Sequence, residues 1–245
     1  MSTIILITGA NSGVGFSSTK VIASASSEYH IIMAGRSLEK VEAAKAEIEK
    51  TGIKGSISTI QFDVTDKSSI DAAVKQVESE FGHIDVLINN AGVTSRNPDL
   101  KAQIEETMAA NVVGPALVSQ GFQPLLFKSN RPYSIYVSSG LGSLERAIEH
   151  PIPNDQWTVY RMSKAALDML MVQEYTALRG KGVKVFAMCP GLVRSNLRGK
   201  SATEVSAGGA AGDPDISGHT MLTIVQGERD ADAGRIVHKD GTYNW

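Results

Sequence analysis

Short apolar runs recur through this sequence, and nearly all of them run into glycine, asparagine, serine or aspartate. They read "IILITG" from Ile4, "HIIMAG" from His30, "STIQFDV" from Ser58, "IDVLINNAG" from Ile84, "YSIYVSS" from Tyr133 and "VKVFAMCPG" from Val183. Continuous apolarity over so few residues predicts strands buried on both faces, as in a parallel sheet. Amphipathic segments lie between them. Leu38, Val41, Ala44 and Ile48 form one helical stripe, with Gly52 just beyond its end. Ile70, Ala73, Val74, Val77 and Phe81 form another, closed by Gly82. Glycine at a helix end accepts the left-handed conformation that stops the helix. Strand–helix alternation of this kind demands right-handed crossovers and a doubly wound α/β sheet with helices on both faces.

The chain has 245 residues, 42% of them hydrophobic, enough for one sizeable core. No linker divides it, so residues 1–245 are expected to form a single domain. The net charge of -2 gives no polyelectrolyte signature, so neither nucleic acid nor membrane is an expected partner. A lone cysteine, Cys189, rules out an internal disulfide and suits a reducing compartment. No apolar run reaches the ~18 residues of a membrane span. The opening "MSTIILITGAN" reads as a strand rather than a secretion signal, which makes the expected location cytoplasmic. Segment 195–215 is rich in Gly, Ala and Ser and is expected to be a flexible loop. His83, His150, His219 and His238 show no metal-binding spacing, and no metal is expected.

The first apolar run leads into "TGANSGVG", which places Gly9, Gly13 and Gly15 between a strand and a helix. Missing side chains let such a turn tighten, and backbone N–H groups can then approach a pyrophosphate at the helix amino end. Asn11, Ser12 and Val14 share that turn. An NAD site usually has an Asp or Glu about 20 residues on, to bind the ribose 2′-hydroxyl. Here the second run ends in Gly35, Arg36 and Ser37, with no carboxylate. A guanidinium at that point suits a 2′-phosphate, so NADPH or NADP+ is the expected cofactor rather than NADH. Asp63 and Val64, and then Asn90, Ala91 and Gly92, occupy further strand ends facing the same crevice.

Near position 160 the sequence reads "VYRMSK". Tyr160 and Lys164 share one helix face, about 6 Å apart along the axis. Taken with "TGANSGVG", "DV" at 63–64, "NNAG" at 89–92, "MAANVVG" around Asn111, "YVSSG" and "CPGLVRSN", the chain resembles the short-chain dehydrogenase/reductase family. The resemblance spans about residues 3–197 and implies a Rossmann fold and a nicotinamide cofactor. It implies interconversion of alcohols and carbonyls of small molecules, as in a carbonyl reductase or ketoreductase. It assigns Tyr160 as proton donor and acceptor, Lys164 as its partner, Ser139 as the catalytic serine (Ser138 if the register slips) and Asn111 as the holder of a relay water. Pro190, Gly191, Val193 and Ser195 match the turn that holds the nicotinamide amide. A homodimer or homotetramer is a further implication.

The chain departs from the family pattern in two places. Ser139 and Tyr160 stand 21 positions apart, more than in many members, and the added segment within 140–158 lies beside the expected active site. The tail "GRIVHKDGTYNW" looks like one final strand rather than a helix-rich close. Trp157 is a candidate pocket wall, whereas Arg194, Arg198 and Lys200 read as a solvated basic cluster. A free tyrosine has a pKa of about 10, and a nearby lysine is expected to lower it. A scaffold of this kind can also serve as a pericyclase or isomerase, or as a nucleotide sensor, because fold does not fix function.

Overall fold

The computed structural model describes residues 2–152 and 157–245. Strands β1 (Thr3–Thr8), β2 (Tyr29–Gly35), β3 (Ser56–Gln61), β4 (Val86–Asn89), β5 (Tyr133–Val137) and β6 (Lys184–Met188) coincide with the six apolar runs. With β7 (Ile236–His238) and β8 (Gly241–Tyr243) they form one sheet in the order β3-β2-β1-β4-β5-β6-β7-β8. All neighbours are parallel except β7 and β8, which pair antiparallel. The tail thus supplies a hairpin where one strand was expected. Gly241, at φ 148°, opens the return strand.

Side chains alternate across each strand, so each face of the sheet collects its own core. On β1, Ile4 and Leu6 join Phe62, Ile70, Phe122, Leu167 and Met171 on one side. Ile5 and Ile7 join Ile22, Val41, Met221 and Ile224 on the other. The first face is covered by α3 (Lys67–Phe81), α5 (Gly114–Leu126) and α7 (Thr158–Leu178), the second by α1 (Gly13–Ala25), α2 (Leu38–Glu49) and α9 (Asp215–Val225). Each fully buried Ile, Leu or Phe contributes about 2 kcal/mol. The α3 stripe buries Ile70, Ala73 and Val77, and Gly82 closes the helix at φ 75°, its N–H donating to the Glu78 carbonyl. On α2, Val41, Ala44 and Ile48 are buried, but Leu38 is 42% exposed. Leu38 is the first residue of the helix, where the stripe has not yet turned onto the sheet, so it leaves the expected core.

Helix α4 (Leu100–Met108) continues into α5 through a π-helical turn, Ala109–Val113. One-turn π segments inside helices are frequent at functional sites, and this one carries Asn111. Segment 195–215 is less irregular than its composition suggests. It contains α8 (Ala202–Val205), capped reciprocally by Ser201 and Glu204, and short 3-10 turns on either side. Helix α6 (Leu144–Glu149) occupies the added segment between β5 and α7; residues 153–156 of that segment lie outside the described residues. No described helix is long and apolar enough to cross a membrane.

Strand order reverses between β1 and β4, and the polypeptide there is tightly fitted. A Cβ on Gly15 would stand 2.5 Å from Asn90 Nδ2 and 2.7 Å from the Gly9 carbonyl. Gly15→Ala is therefore expected to destabilise the protein by about 2 kcal/mol, lowering Tm by roughly 4–8 °C for a chain of this size. Calorimetry of the two proteins checks this.

Candidate active site

The cradle forms where β1 turns into α1. Gly9 and Gly13 hold φ values of 63° and 55°, which L-side chains rarely adopt. A Cβ on Gly9 would meet Ala91 Cα at 2.9 Å, and one on Gly13 would meet Ser195 Cβ at 3.2 Å. Ser12 is the N-cap of α1, yet its hydroxyl makes no capping bond. The first-turn N–H groups keep their capacity for an anion, and the helix dipole favours one there. Gly15 serves differently: it lets α1 pack on the strand ends and does not line the cavity.

A cavity of about 930 Å³ runs from this cradle across the carboxyl ends of the strands. Gly9, Asn11, Ser12, Gly13, Val14, Arg36, Asp63, Val64, Asn90, Ala91, Gly92, Pro190, Gly191, Val193 and Ser195 all line it, as the sequence motifs require. Ser37 does not. Its hydroxyl is the N-cap of α2, accepting from the Lys40 N–H. Asp63 holds its own loop, accepting from the Thr65 N–H at 2.9 Å and hydroxyl at 2.8 Å. Arg36 stands at the same end with no carboxylate partner among the described residues, and its donors are available to a phosphate. The cradle and this free guanidinium fit a phosphorylated dinucleotide.

Ser139, Tyr160 and Lys164 come together on the opposite wall. Tyr160 and Lys164 lie on the buried face of α7, and the Lys164 ammonium is 5.6 Å from the Tyr160 ring centroid. Lys164 donates to the Val137 carbonyl at 2.8 Å, which fixes its position. Burial brings its pKa down to about 8, partly offset by Asp168. Burial also pushes the Tyr160 hydroxyl above its ordinary value, with smaller opposing help from Ser139 and Arg198. The expected lowering by Lys164 does not emerge: desolvation of the phenolate dominates, and the opposing groups are Ser139 and Arg198. Ser139 sits toward Tyr160, whereas Ser138 is buried with its hydroxyl turned toward Asp168.

Asn111 lies in the π-helical turn between α4 and α5. It is fully buried and does not line the cavity. Its side-chain oxygen accepts from the Val93 N–H at 2.8 Å, and its amide donates to the Val93 carbonyl and to Ser163 Oγ, each at 2.9 Å. The side chain ties the loop after β4 to α7. Asp168, one turn beyond Lys164, was not foreseen. It is 4% exposed, both its oxygens lack a hydrogen bond of good geometry, and burial raises its pKa to about 7. An acidic residue on the buried face of an apolar helix was the signal for it.

The remaining walls come from distant segments. Trp157 meets the Tyr160 ring edge-on, with centroids 5.9 Å apart. Cys189 lies beneath Gly140 and Gly191, its sulfur accepting their N–H groups at 3.1 and 3.5 Å. Tyr243 of β8 and Arg146 of α6 also line this end. The expected solvated basic cluster is divided. Arg194 pairs with Asp213 at 3.5 Å, while Arg198 turns inward and donates to the carbonyls of Val193, Glu204 and Val205. Glu204 is also held by Arg96, at 2.6 Å, from the loop after β4. No group of three or more His, Cys, Asp or Glu able to hold a metal occurs among the described residues.

A nucleotide cradle joined to a Tyr–Lys–Ser wall at a sheet's switch point defines a nicotinamide-dependent oxidoreductase architecture. Residues 3–206 match the family model for short chain dehydrogenase. The chain is 30% identical to the short-chain dehydrogenase/reductase tropE of Talaromyces stipitatus, over 97% of this chain and 95% of that one. It is 35% identical to the short-chain dehydrogenase anuI of Penicillium roqueforti, over 84% and 85%. Among solved structures, the NADPH-bound carbonyl reductase from chicken fatty liver superposes with a TM-score of 0.84 at 25% identity, covering all of both chains. This protein belongs to the short-chain dehydrogenase/reductase family and is an oxidoreductase with a nicotinamide cofactor.

Asp168 raises the proton affinity of Lys164, and its carboxyl is largely ionised above about pH 7. Removing that charge lowers the pKa of Lys164 further. Asp168→Asn is therefore expected to move the alkaline limb of the rate–pH profile that deprotonation of Lys164 produces toward lower pH. A profile of kcat/KM between pH 6 and 10 shows the shift.

Proposed function

We propose that the protein reduces a ketone or aldehyde to an alcohol with NADPH, Tyr160 acting as the general acid. The observation that carries this reading is the convergence of Tyr160, Lys164 and Ser139 on one wall of a cavity whose far end is the glycine cradle. The cofactor, when bound, supplies the hydride to the carbonyl carbon. Tyr160 gives its hydroxyl proton to the carbonyl oxygen, and a raised pKa keeps that proton in place until the substrate arrives. Ser139 donates a hydrogen bond to the oxygen as negative charge grows there. Lys164 stabilises the tyrosinate left behind. Two unit charges 4–6 Å apart interact by roughly 3–4 kcal/mol at an effective dielectric of ~20.

Preference for NADPH over NADH rests on Arg36, standing where β2 ends without a carboxylate. The carbonyl reductase that superposes on this chain was solved with NADPH, which supports the same choice. Segment 195–215 serves as the substrate loop, since Asn196, Leu197, Arg198 and Ala207 face the cavity. The working location is the cytosol, and the working assembly a homodimer or homotetramer.

Tyr160→Phe is expected to cut kcat by about 10²–10⁴-fold, the usual contribution of a positioned acid. NADPH affinity, read by fluorescence titration, should stay within about threefold; retention of kcat would remove Tyr160 from the reaction. Arg36→Asp is expected to lower the NADPH/NADH ratio of kcat/KM by about 10–100-fold, the loss of a charged hydrogen-bonded pair. An unchanged ratio would mean the 2′-phosphate is held elsewhere.

A further inference from the structure

We propose that the substrate end of the cavity is an anion site built on Arg146 and Arg198, and that the carbonyl substrate carries a carboxylate on an aromatic or conjugated frame. The inference rests on the carbonyl-reduction reading and names the class of compound reduced.

Arg146 and Arg198 both line the cavity beside Ser139 and Tyr160. Neither has a carboxylate partner among the described residues, in contrast to Arg96, Arg194 and Arg229, which pair with Glu204, Asp213 and Asp232. Among the described residues no Asp or Glu lines this end; the one acid they place in the cavity wall, Asp63, belongs to the opposite end and holds its own loop. Described acids on the neighbouring segments are committed or shielded. Glu145 accepts from Asn244, Glu204 is held by Arg96 and Ser201, and Asp168 is buried behind Ser138. Two uncompensated guanidiniums in a half-enclosed site carry a desolvation cost, which an anionic ligand offsets.

Their presentation favours a planar carboxylate. Arg146 lies over the Tyr243 ring, 4.6 Å from its centroid, and Tyr243 in turn stacks on His238 at 4.0 Å. A guanidinium held over a ring face keeps its N–H donors for other partners, and its planar fork can grip a carboxylate through two bonds. Arg198 is fixed through Nε and Nη2, and Nη1 has no partner among the described residues. Around the two cations, Leu141, Ile152, Trp157, Leu192 and Tyr243 form apolar and aromatic walls. Flat apolar walls with two arginines and, among the described residues, no acid match an aryl or conjugated acid better than a neutral ketone or an amine. Because α6 carries Arg146, the segment added between Ser139 and Tyr160 becomes a specificity element.

The test uses the protein saturated with NADP+, so that the cofactor's phosphates occupy their own end. Benzoate and benzamide have nearly the same shape and differ in charge. Benzoate is expected to bind at least tenfold more tightly by calorimetric titration, and Arg146→Gln to reduce that preference at least fivefold. Arg146→Lys, which keeps the charge but loses the fork, should fall between. Equal binding of benzoate and benzamide by the unaltered protein overturns the proposal, as does an Arg146→Gln protein that keeps the full preference. Turnover separates this inference from the reading beneath it. With NADPH, 4-carboxybenzaldehyde should be reduced at least tenfold more efficiently than its methyl ester. Equal reduction of both supports carbonyl reduction and overturns the anion site. A strong benzoate preference with no reduction of either aldehyde upholds the anion site and counts against carbonyl reduction.

Discussion

The site depends on a small knot of hydrogen bonds between the ends of β1 and β4. The Thr8 hydroxyl accepts from the backbone N–H groups of Asn90 and Ala91 at 2.9 and 3.0 Å. In return the Asn90 side chain donates to the carbonyls of Thr8 and Gly9 at 2.8 and 3.1 Å. These groups sit where strand order reverses, so no ladder partner is there to satisfy them, and an unpaired buried peptide group would cost about 1–3 kcal/mol. The knot keeps the crevice open and brings the glycine turn against "NNAG". Both the cradle and the Tyr160 wall are positioned relative to it.

Much of this was legible in sequence because strands and helices announce themselves by period. Six parallel strands followed from six apolar runs, and the stripe from Ile70 to Val77 named its own buried face. The misplacements have local causes. Leu38 fits the helical stripe but begins the helix, and Ser37 caps α2 because a hydroxyl at that position finds an unsatisfied N–H before it finds a ligand. The hairpin of β7 and β8 escaped notice because each strand has only three residues. So short a run carries too little pattern to separate one strand from two.

The reacting wall shows a different limit. Spacing placed Tyr160 and Lys164 on one helical face, and they are there. It could not say how deeply that face is buried, and burial decides the protonation of both groups. Arg146, Cys189 and Tyr243, which complete the wall, and Asp168, buried behind it, come from four separate segments. Only Asp168 left a trace in the periodicity. Asn111 shows the reverse: a motif residue whose side chain, in this fold, braces the loop after β4 against α7 through Val93 and Ser163.

The outer wall of the cavity is held at two points of unlike character. Arg198 binds three peptide carbonyls from within, contacts that dissolved ions barely touch. The tie from Arg96 to Glu204 is a partly exposed ion pair, with side-chain exposures of 63% and 35%. Mobile ions screen such a pair over about 8 Å at physiological ionic strength and over about 3 Å at 1 M. Added salt therefore loosens the rim of the wall while its root stays fixed. Ionic strength acts on the tie from Arg96 to Glu204 far more than on the peptide contacts that fix the backbone of Arg198's loop.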